Sequence, residues 1–357
     1  MNFDKISITA ISILLTVINV NAQVVLNANG VDDTYHLINS VLAPGNNVVE
    51  TPDCIHTDVK HVDQVFDADL DKYVFRFKAH KHPDNDRCQK YDRQRTEIKT
   101  YDKSPDNLKA ALDEIVRYTW NFKLSSDFKP SSSFTHLHQI KAVDGPHDAM
   151  PLITLTARKS SPDRLELRYG EELSQITLTE IPLADFKGEW VSVKETIHFQ
   201  EKNQATYKLK IIKMSDSSVL LEYTNKTIKM WKTDAAFLRP KWGIYRSLLD
   251  SNSLKDEDVL FSDIVVAELN TLGVQIEQKN EYQISPNPCR DVITFSKQIS
   301  SDFNQYHISD LSGKVIKVSQ KIADSIDVSD LGPGIYFIQF LSTYTGAVSR
   351  QKIVKHQ

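Results

Sequence analysis

Three short segments of the sequence place charged and polar side chains at alternate positions, the spacing that puts side chains on one face of a β-strand. The first segment is RTEIK, in which Arg95, Glu97 and Lys99 share a face. A guanidinium, a carboxylate and an ammonium group side by side can bind an anion or support acid–base chemistry. One such strand alone is equally typical of a solvent-exposed sheet face.

The second segment is FTHLHQIKAV. Strict alternation predicts that Gln139 and Lys141 share one face of this strand. It predicts that His136, His138 and Ile140 share the opposite face. His138 could be a hydrogen-bonded core histidine or a substrate contact. The structural role is favoured, because a lone histidine in a strand is more often structural.

The third segment is RPKWGIYRS. Here alternation places Lys241 and Tyr245 on one face and Trp242 on the other, where it can turn to the core. A regular strand also directs Arg246 away from Tyr245, towards the sheet edge or a sulfate further along a groove. With a tyrosine and a glutamine among the cations, the three segments together favour a cleft that binds a polyanion.

The elements that position these segments are predicted to be short strands. Residues 23–265 contain many runs with two-residue periodicity, rich in β-branched and aromatic residues and separated by turn sequences. Only SPDNLKAALDEIV (104–116) reads as a helix, with Ser104 as its N-cap. No internal repeat is present, which argues against a propeller. The sequence predicts an all-β fold with two packed antiparallel sheets, a β-sandwich of the jelly-roll type.

Composition and charge exclude several classes of function. The chain has 357 residues and a net charge of −4, which gives no reason to expect nucleic acid as a partner. It lacks GxSxG, HExxH and EF-hand sequences, so we expect neither a serine hydrolase of that type nor a metal site. No cofactor is required by these residues. The loop HPDNDRC (82–88) could hold a structural calcium, although a solvated turn is favoured.

The chain begins with the features of a signal peptide. Lys5 precedes a short apolar run, and small or tolerated residues stand before Gln23, so residues 1–22 are predicted to be cleaved. No other stretch is apolar enough to span a bilayer. Export permits a disulfide, and Cys54 with Cys88 is the expected pair, which leaves Cys289 free.

Residues 266–282 become more polar and are predicted to be a linker to a second β pattern in residues 283–357. This segment contains PNP, DLSGKVI, LGPGIY and a terminal KIVK, in that order. Together these motifs resemble the C-terminal sorting domain of the type IX secretion system of Bacteroidota. The resemblance implies a small C-terminal β-sandwich that export machinery reads, and a protein secreted to the cell surface or beyond it.

The three strand segments also resemble a known group of enzymes. RTEIK, QIK and KWGIY stand in the same order as the arginine, Gln-Ile-His and Lys-x-Gly-x-Tyr strands of jelly-roll alginate and glucuronan lyases. Over roughly residues 60–265 the chain looks most similar to glucuronan lyases of family 20 and ulvan lyases of family 28. Lys141 stands where the alginate-lyase pattern has a histidine, which puts in doubt any histidine base at that position.

The resemblance implies β-elimination of a uronic acid. In that reaction Arg95 and Gln139 would neutralise the substrate carboxylate, and Tyr245 would act as acid and also as base. Lys141 could be the base instead, if burial lowers its pKa. Nearby cations are expected to lower the tyrosine pKa. The predicted substrate-binding residues are Lys241, Lys99, His138, Arg246 and Glu97, with Glu97 orienting Arg95 or Lys99.

The resemblance also implies the substrate. Ulvan, a sulfated polysaccharide of rhamnose and uronic acid, is the first hypothesis because lysine and arginine are abundant on the three segments. Glucuronan, which lacks sulfate, is the alternative, and a non-catalytic carbohydrate-binding surface protein is an alternative of another class. The other expected partner is the type IX secretion machinery, and we expect a monomer.

Overall fold

The computed structural model describes residues 23–31 and 33–269, and in the C-terminal part residues 284–295, 299, 303–310, 314–342 and 348–356. The predicted signal peptide and residues 270–282 of the predicted linker lie outside the described residues. The described residues form two compact units, which separate after position 273. Within these described segments, no helix is both long and apolar enough to cross a bilayer.

The first unit is built almost entirely from β-strands. Their bounds are β1 Gln23–Leu26, β2 Val49–Glu50, β3 Val62–Asp67, β4 Lys72–Ala79, β5 Arg93–Lys99, β6 Ile115–Leu124, β7 Thr135–Val143, β8 Ile153–Arg158, β9 Arg164–Tyr169, β10 Ile176–Pro182, β11 Trp190–His198, β12 Thr206–Lys213, β13 Val219–Asn225, β14 Phe237–Ser247 and β15 Glu257–Glu268. Helix α1 spans Thr34–Leu42, and 3₁₀ turns span Asp106–Leu108, Leu183–Phe186 and Ser251–Ser253.

These strands form two antiparallel sheets. The 8-stranded sheet has the order β13-β12-β11-β6-β15-β4-β3, with β1 paired to β15. The 7-stranded sheet has the order β10-β9-β8-β7-β14-β5-β2. The predicted all-β, jelly-roll type of fold is therefore confirmed. In the 7-stranded sheet β14 lies between β7 and β5, so the three segments singled out in the sequence are adjacent strands.

The inner faces of the two sheets meet in one apolar core. Trp120 on β6 and Trp242 on β14 are buried, and their ring centroids lie 6.2 Å apart between the sheets. Phe122 on β6 and Ile140 on β7 are also fully buried. Each large side chain removed from water contributes about 1.5–3 kcal/mol. This core fixes which side chains of each strand point inwards and which are left on the outer face.

The helix predicted for residues 104–116 is wrong. Residues 106–108 form a single 3₁₀ turn, and β6 begins at Ile115. The hydroxyl of Ser104 accepts a hydrogen bond from the backbone N–H of Tyr101, 2.8 Å away, so it closes a turn instead of capping a helix. The helix α1 was not predicted. It begins after Asp33, whose carboxylate accepts from the backbone N–H of His36 at 2.9 Å, a typical N-cap.

The second unit is a smaller β-structure. Its strands are β16 Ile284–Ser285, β17 Val292–Phe295, β18 Gln305–Ser309, β19 Val315–Ser319, β20 Ser325–Asp327, β21 Gly334–Leu341 and β22 Val348–Lys355. They pair in the orders β16-β17-β20 and β19-β18-β21-β22. Ile308, Ile338 and Phe340 are fully buried in its core, together with the thiol of Cys289, which is free.

Candidate active site

The candidate site lies on the outer face of the 7-stranded sheet, where β7, β14 and β5 run side by side. In the antiparallel register Tyr245 on β14 stands opposite Arg95 on β5 and His136 on β7. Lys241, four residues earlier on β14, stands opposite Lys99 and Gln139. The structure therefore brings five of the predicted residues together on one face, at successive positions along it: Arg95, Lys99, Gln139, Lys241 and Tyr245.

Tyr245 is surrounded by arginines and an aromatic ring. Its hydroxyl accepts a hydrogen bond from Nη1 of Arg93 at 3.1 Å. The guanidinium of Arg95 lies over its ring, 3.6 Å from the centroid. The rings of Phe134 and His136 lie 5.1 and 5.9 Å from the Tyr245 ring. We call Tyr245, His136, Arg93 and Arg95 the tyrosine group.

His136 is a member of this group that alternation placed wrongly. β7 carries an irregularity between His136 and His138, where its pairing with β8 and with β14 shifts register. Such a bulge inserts one residue and reverses the parity of everything on one side of it. Consequently His136 faces outwards with Gln139, whereas Leu137 and His138 both face the core.

The geometry of β14 at this bulge depends on a glycine. Gly243 has φ of +140°, a region that residues with a Cβ rarely adopt. A Cβ at this position would overlap the carbonyl oxygen of Thr96 on β5 and lie 2.8 Å from the Cα of Glu97. Gly243 thus permits β14 to approach β5 closely at the point between Lys241 and Tyr245.

A second set of residues next to the tyrosine group is a buried ion-pair network. Glu97 is fully buried and accepts from Nη1 of Arg95 at 2.5 Å, with Nζ of Lys241 at 2.7 Å. Its other carboxylate oxygen accepts from the side-chain amide of Gln139. Glu50, on β2, binds Lys241 at 2.5 Å and Lys99 at 2.9 Å. We call Glu50, Glu97, Lys99 and Lys241 the ion-pair group.

The ion-pair group holds side chains that were predicted to bind substrate. Glu97 contacts Arg95, Lys241 and Gln139, so it orients these three side chains. The lysine that it contacts is Lys241, whereas Lys99 was the lysine predicted. Burial alone would raise the pKa of Glu50, but Lys241, Arg95, Lys99 and Arg87 outweigh burial and hold that pKa well below its usual range. Both glutamates are therefore carboxylates at neutral pH.

Arg95 has a further partner that the sequence did not indicate. Its Nε and Nη2 donate to the two carboxylate oxygens of Asp86, at 2.9 and 3.1 Å. This fork-to-carboxylate arrangement fixes the plane of the guanidinium. Since Nη1 is bonded to Glu97, the edge that could grip a substrate carboxylate in bidentate fashion is already occupied. Arg95 acts on the site through its charge and its remaining N–H groups.

Further along the same face lie two cations with a different environment. Lys141 on β7 stands opposite Arg239 on β14. Within the described parts of the chain, neither side chain has a carboxylate partner, and Nε and Nη1 of the buried Arg239 have no hydrogen-bond partner. Burial, with Arg239 and Arg95 nearby, lowers the pKa of Lys141. We call Lys141 and Arg239 the free cations.

The protonation states of the tyrosine group differ from expectation. Burial raises the pKa of Tyr245, and the opposing effects of Arg95 and Arg93 do not overcome it. The expectation that nearby cations give a net lowering is therefore wrong. Burial lowers the pKa of His136 to about 3, against the attraction of Glu97. At neutral pH the site pairs a neutral phenol with a neutral imidazole.

Two predicted substrate contacts lie on the inner face instead. His138 is buried, bonds Glu195 through Nε2 at 3.0 Å and packs on Trp120 with ring centroids 4.3 Å apart. His138 is therefore a hydrogen-bonded core histidine and not a substrate contact, the two roles considered for it from the sequence. Arg246 is fully buried, donates from Nε to the side-chain oxygen of Gln94 and from Nη2 to a backbone carbonyl at 3.1 Å. No polymer outside the sheet can reach it, so a substrate-binding role does not fit.

The loop 82–88 is more structured than predicted. The Cys54–Cys88 disulfide is formed, with Cα atoms 6.3 Å apart. Asp84 and Asp86 are buried, so the loop is not a solvated turn. Asp86 is bound by arginines and Asp84 by histidines, a donor set that does not suit calcium, which requires oxygen ligands.

Comparison with solved structures finds polysaccharide lyases that are similar to this chain at low sequence identity. The chain is similar to an endo-β-1,4-glucuronan lyase from the fungus Trichoderma reesei, with 14% identity, a TM-score of 0.41 and coverage of 58% of this chain and 87% of that chain. It is similar to a marine alginate lyase from Aplysia kurodai, with 12% identity, a TM-score of 0.48 and coverage of 69% and 98%. An alginate lyase from Corynebacterium sp. has 13% identity, a TM-score of 0.39 and coverage of 62% and 93%. These likenesses assign no role to any residue.

No curated protein matches the chain in sequence. Residues 283–356 match the family model of the secretion system C-terminal sorting domain. The sorting domain predicted from the four C-terminal motifs is therefore confirmed. The protein carries a type IX sorting domain at its C-terminal end and is exported to the cell surface or the extracellular space.

Proposed function

We propose that the first unit is a polysaccharide lyase that cleaves a uronic-acid-containing chain by β-elimination. The observation that carries the proposal is the tyrosine group: a neutral histidine and a neutral tyrosine face each other across adjacent strands, beside two arginines. Both residues retain a little exposure, 8% each, on the outer face of the sheet. An acid, a base and positive charge in one place are the requirements of this reaction.

The reaction sets three tasks for the protein. A base takes the proton from C5 of the uronic acid, and the C5–H bonding electrons form the C4–C5 double bond. The oxygen on C4 leaves with its bonding electrons and takes a proton from an acid. Positive charge near the carboxylate stabilises the enolate-like intermediate, because the C5 proton is barely acidic while the carboxylate keeps its full charge.

His136 is the base in this proposal. Its Nδ1 lies 3.0 Å from the hydroxyl oxygen of Thr156, which can accept a hydrogen bond from an Nδ1–H group. That tautomer leaves Nε2 unprotonated, and Nε2 has no partner among the described residues. The lowered pKa of His136 leaves the ring neutral at neutral pH, and the negative charge of a bound uronic acid would raise that pKa and make the ring a stronger base. This assignment replaces the base roles considered for Tyr245 and Lys141.

Tyr245 is the acid. Its hydroxyl oxygen accepts from Arg93, which leaves the hydroxyl proton available for a leaving oxygen. The raised pKa keeps that proton in place at neutral pH, and Arg95 over the ring stabilises the phenolate formed after transfer. Lys141 is too distant to share the same sugar, because it pairs with Arg239. Arg239 lies six residues before Tyr245 on β14, roughly 20 Å along the strand at about 3.3 Å per residue.

Neutralisation of the carboxylate falls to Arg95 and Gln139. Arg95 keeps N–H groups beyond those bound by Asp86 and Glu97, and Gln139 keeps a second amide proton. Around them Arg87, Arg95, Lys99 and Lys241 face three carboxylates, those of Glu50, Asp86 and Glu97. The network therefore has a net positive charge that attracts an anionic sugar.

We further propose ulvan as the substrate, with glucuronan as the alternative. The free cations, Lys141 and Arg239, support a sulfated chain. They lie beyond the reach of the sugar at Tyr245 and lack carboxylate partners, so they can accept an acidic group on a neighbouring sugar. The positive charge of Lys141 and Arg239 attracts a sulfate group on that sugar.

An ultraviolet assay with three polymers tests the proposal. The purified protein is mixed separately with ulvan, glucuronan and alginate, and absorbance of the new double bond conjugated to the carboxylate is followed. We expect the absorbance to increase with ulvan. The variants Tyr245→Phe and His136→Ala should reduce the rate of this increase at least about 100-fold while still binding ulvan. An increase in absorbance with glucuronan alone would indicate that the unsulfated polymer is the substrate. Binding of ulvan with no absorbance on any polymer would favour the carbohydrate-binding alternative.

A further inference from the structure

Three histidines and an aspartate from separate segments converge outside the active site. Asp84 Oδ1 lies 2.9 Å from Nδ1 of His56 and 3.0 Å from Nε2 of His61, and Asp84 Oδ2 lies 3.2 Å from Nδ1 of His80. The four potential ligand atoms all lie within 4.8 Å of one another. The three imidazole centroids are 5.0 to 5.3 Å apart, with each pair of rings edge to face.

These separations suit a tetrahedral metal ion. Bonds of about 2.0–2.1 Å to nitrogen and oxygen place the ligands of a tetrahedral zinc roughly 3.3 Å from one another. The distances from Oδ1 of Asp84 to His56 and His61, 2.9 and 3.0 Å, are close to that edge length, and His80 lies 3.2 Å from the other oxygen of the same carboxylate. His61 and Asp84 are completely buried, whereas His56 and His80 keep about a fifth to a quarter of their side-chain surface, 20% and 24%. The cluster therefore has a buried floor and an entry side.

The surroundings hold one ligand in a defined orientation. His61 directs Nε2 into the cluster and Nδ1 to the carboxylate of Asp53, 2.6 Å away. The other oxygen of Asp53 accepts from the hydroxyl of Tyr35 at 2.8 Å. A carboxylate behind a metal-binding histidine fixes its tautomer and makes it a better ligand.

We propose that His56, His61, His80 and Asp84 bind a structural Zn²⁺ ion. Three imidazole nitrogens and one carboxylate suit zinc, whereas calcium and magnesium prefer oxygen alone. Four protein ligands complete a tetrahedron and leave no open position for a reacting water, which is typical of structural zinc.

The ion has a consequence for the active site. Asp84 lies two positions before Asp86, whose carboxylate fixes the guanidinium of Arg95. The Cys54–Cys88 disulfide joins the segment carrying His56 to the loop carrying Asp84. Zinc and disulfide together therefore hold the loop that positions Arg95. The metal does not contact substrate, and its loss would affect the active site by loosening Arg95.

Metal content of the full chain tests the site independently of any lyase activity. The protein is purified without added chelator, incubated with zinc sulfate, freed from excess by gel filtration and measured by elemental mass spectrometry. We expect about one Zn²⁺ per chain, and near-complete loss in His56→Gln and His80→Gln. His82→Gln is the matched control, because His82 is exposed in the same loop. Equal zinc in wild type and both ligand variants would overturn the proposal.

A second measurement on the wild-type chain avoids dependence on variant folding. Removal of metal by a chelator is expected to lower Tm by roughly 10 °C, with recovery on adding Zn²⁺ but not Ca²⁺ or Mg²⁺. Replacement by Co²⁺ is expected to give the intense visible absorption of a tetrahedral site. No bound metal, no change in Tm and no cobalt spectrum would contradict the assignment, and so would recovery with Ca²⁺.

Discussion

Substitution of Glu97 by glutamine tests the ion-pair network that organises the active face. Glutamine keeps the shape of the side chain but removes the charge that Arg95 and Lys241 share, at 2.5 and 2.7 Å. Removing one partner of a buried ion pair costs about 3–5 kcal/mol. Because Lys241 retains Glu50 at 2.5 Å, we expect the lower end, about 3 kcal/mol of unfolding free energy.

The cost should depend on pH in a defined direction. Burial raises the pKa of Glu97, but Lys241 and Arg95 outweigh burial and give a net lowering. A carboxyl group with a lowered pKa in the folded state stabilises the protein above its unfolded pKa, and this contribution is lost as pH falls through the folded value. The difference between wild type and Glu97→Gln should therefore be full at about pH 7 and shrink in acid.

Urea unfolding followed by tryptophan fluorescence measures both effects. A loss of about 3 kcal/mol corresponds to a Tm lower by roughly 6–12 °C for a unit of this size. Glu222→Gln is the control, because Glu222 pairs with Lys210 at 3.4 Å on the surface and should cost less than about 0.5 kcal/mol. If Glu97→Gln cost no more than this control, or as much in acid as at neutral pH, the account of a charged buried network would be refuted.

Three further predictions concern other positions. Gly243→Ala should cost several kcal/mol of unfolding free energy and abolish activity, because the new Cβ clashes with β5. Gly45→Ala is the control: Gly45 also has a positive φ but has open space around it, so the cost should be only about 1–2 kcal/mol. Equal losses in Tm would contradict the close approach of β14 to β5. Arg246→Met should lower the free energy of unfolding by about 3 kcal/mol because it leaves the buried side-chain oxygen of Gln94 without a donor, while KM stays unchanged. A raised KM at full stability would restore a substrate role for Arg246. Cys88→Ser, which opens a disulfide with a sequence separation of 34, should cost about 3–4 kcal/mol in calorimetry, and an unchanged Tm would show that the bridge adds nothing.

The sequence was most informative where a strand is regular. Alternation located β5 and β14, and it correctly placed Arg95, Glu97, Lys241 and Tyr245 on one face, because side-chain direction in a regular strand has a period of two. It failed on β7. One inserted residue reversed the parity around His136, and no local pattern in FTHLHQIKAV marks that bulge.

Features assembled from distant segments could not be predicted. Asp86 and Glu50 reach the site from a loop and from a two-residue strand, and neither has a periodic signal. The proposed zinc ligands His56, His61, His80 and Asp84 come from separate segments whose spacing matches no metal motif. The net effect on the pKa of Tyr245 also depends on the extent of burial, which composition and neighbouring charges do not reveal.

The mass of the products tests the central claim most directly. Oligosaccharides released from ulvan by the wild-type protein are separated and weighed by mass spectrometry. β-Elimination by Tyr245 and His136 predicts fragments with an unsaturated uronic acid at the newly formed non-reducing end, each one water lighter than the corresponding product of hydrolysis. No such fragments are expected from the Tyr245→Phe variant. Fragments of hydrolytic mass, or the same unsaturated fragments from Tyr245→Phe at an undiminished rate, would contradict the account.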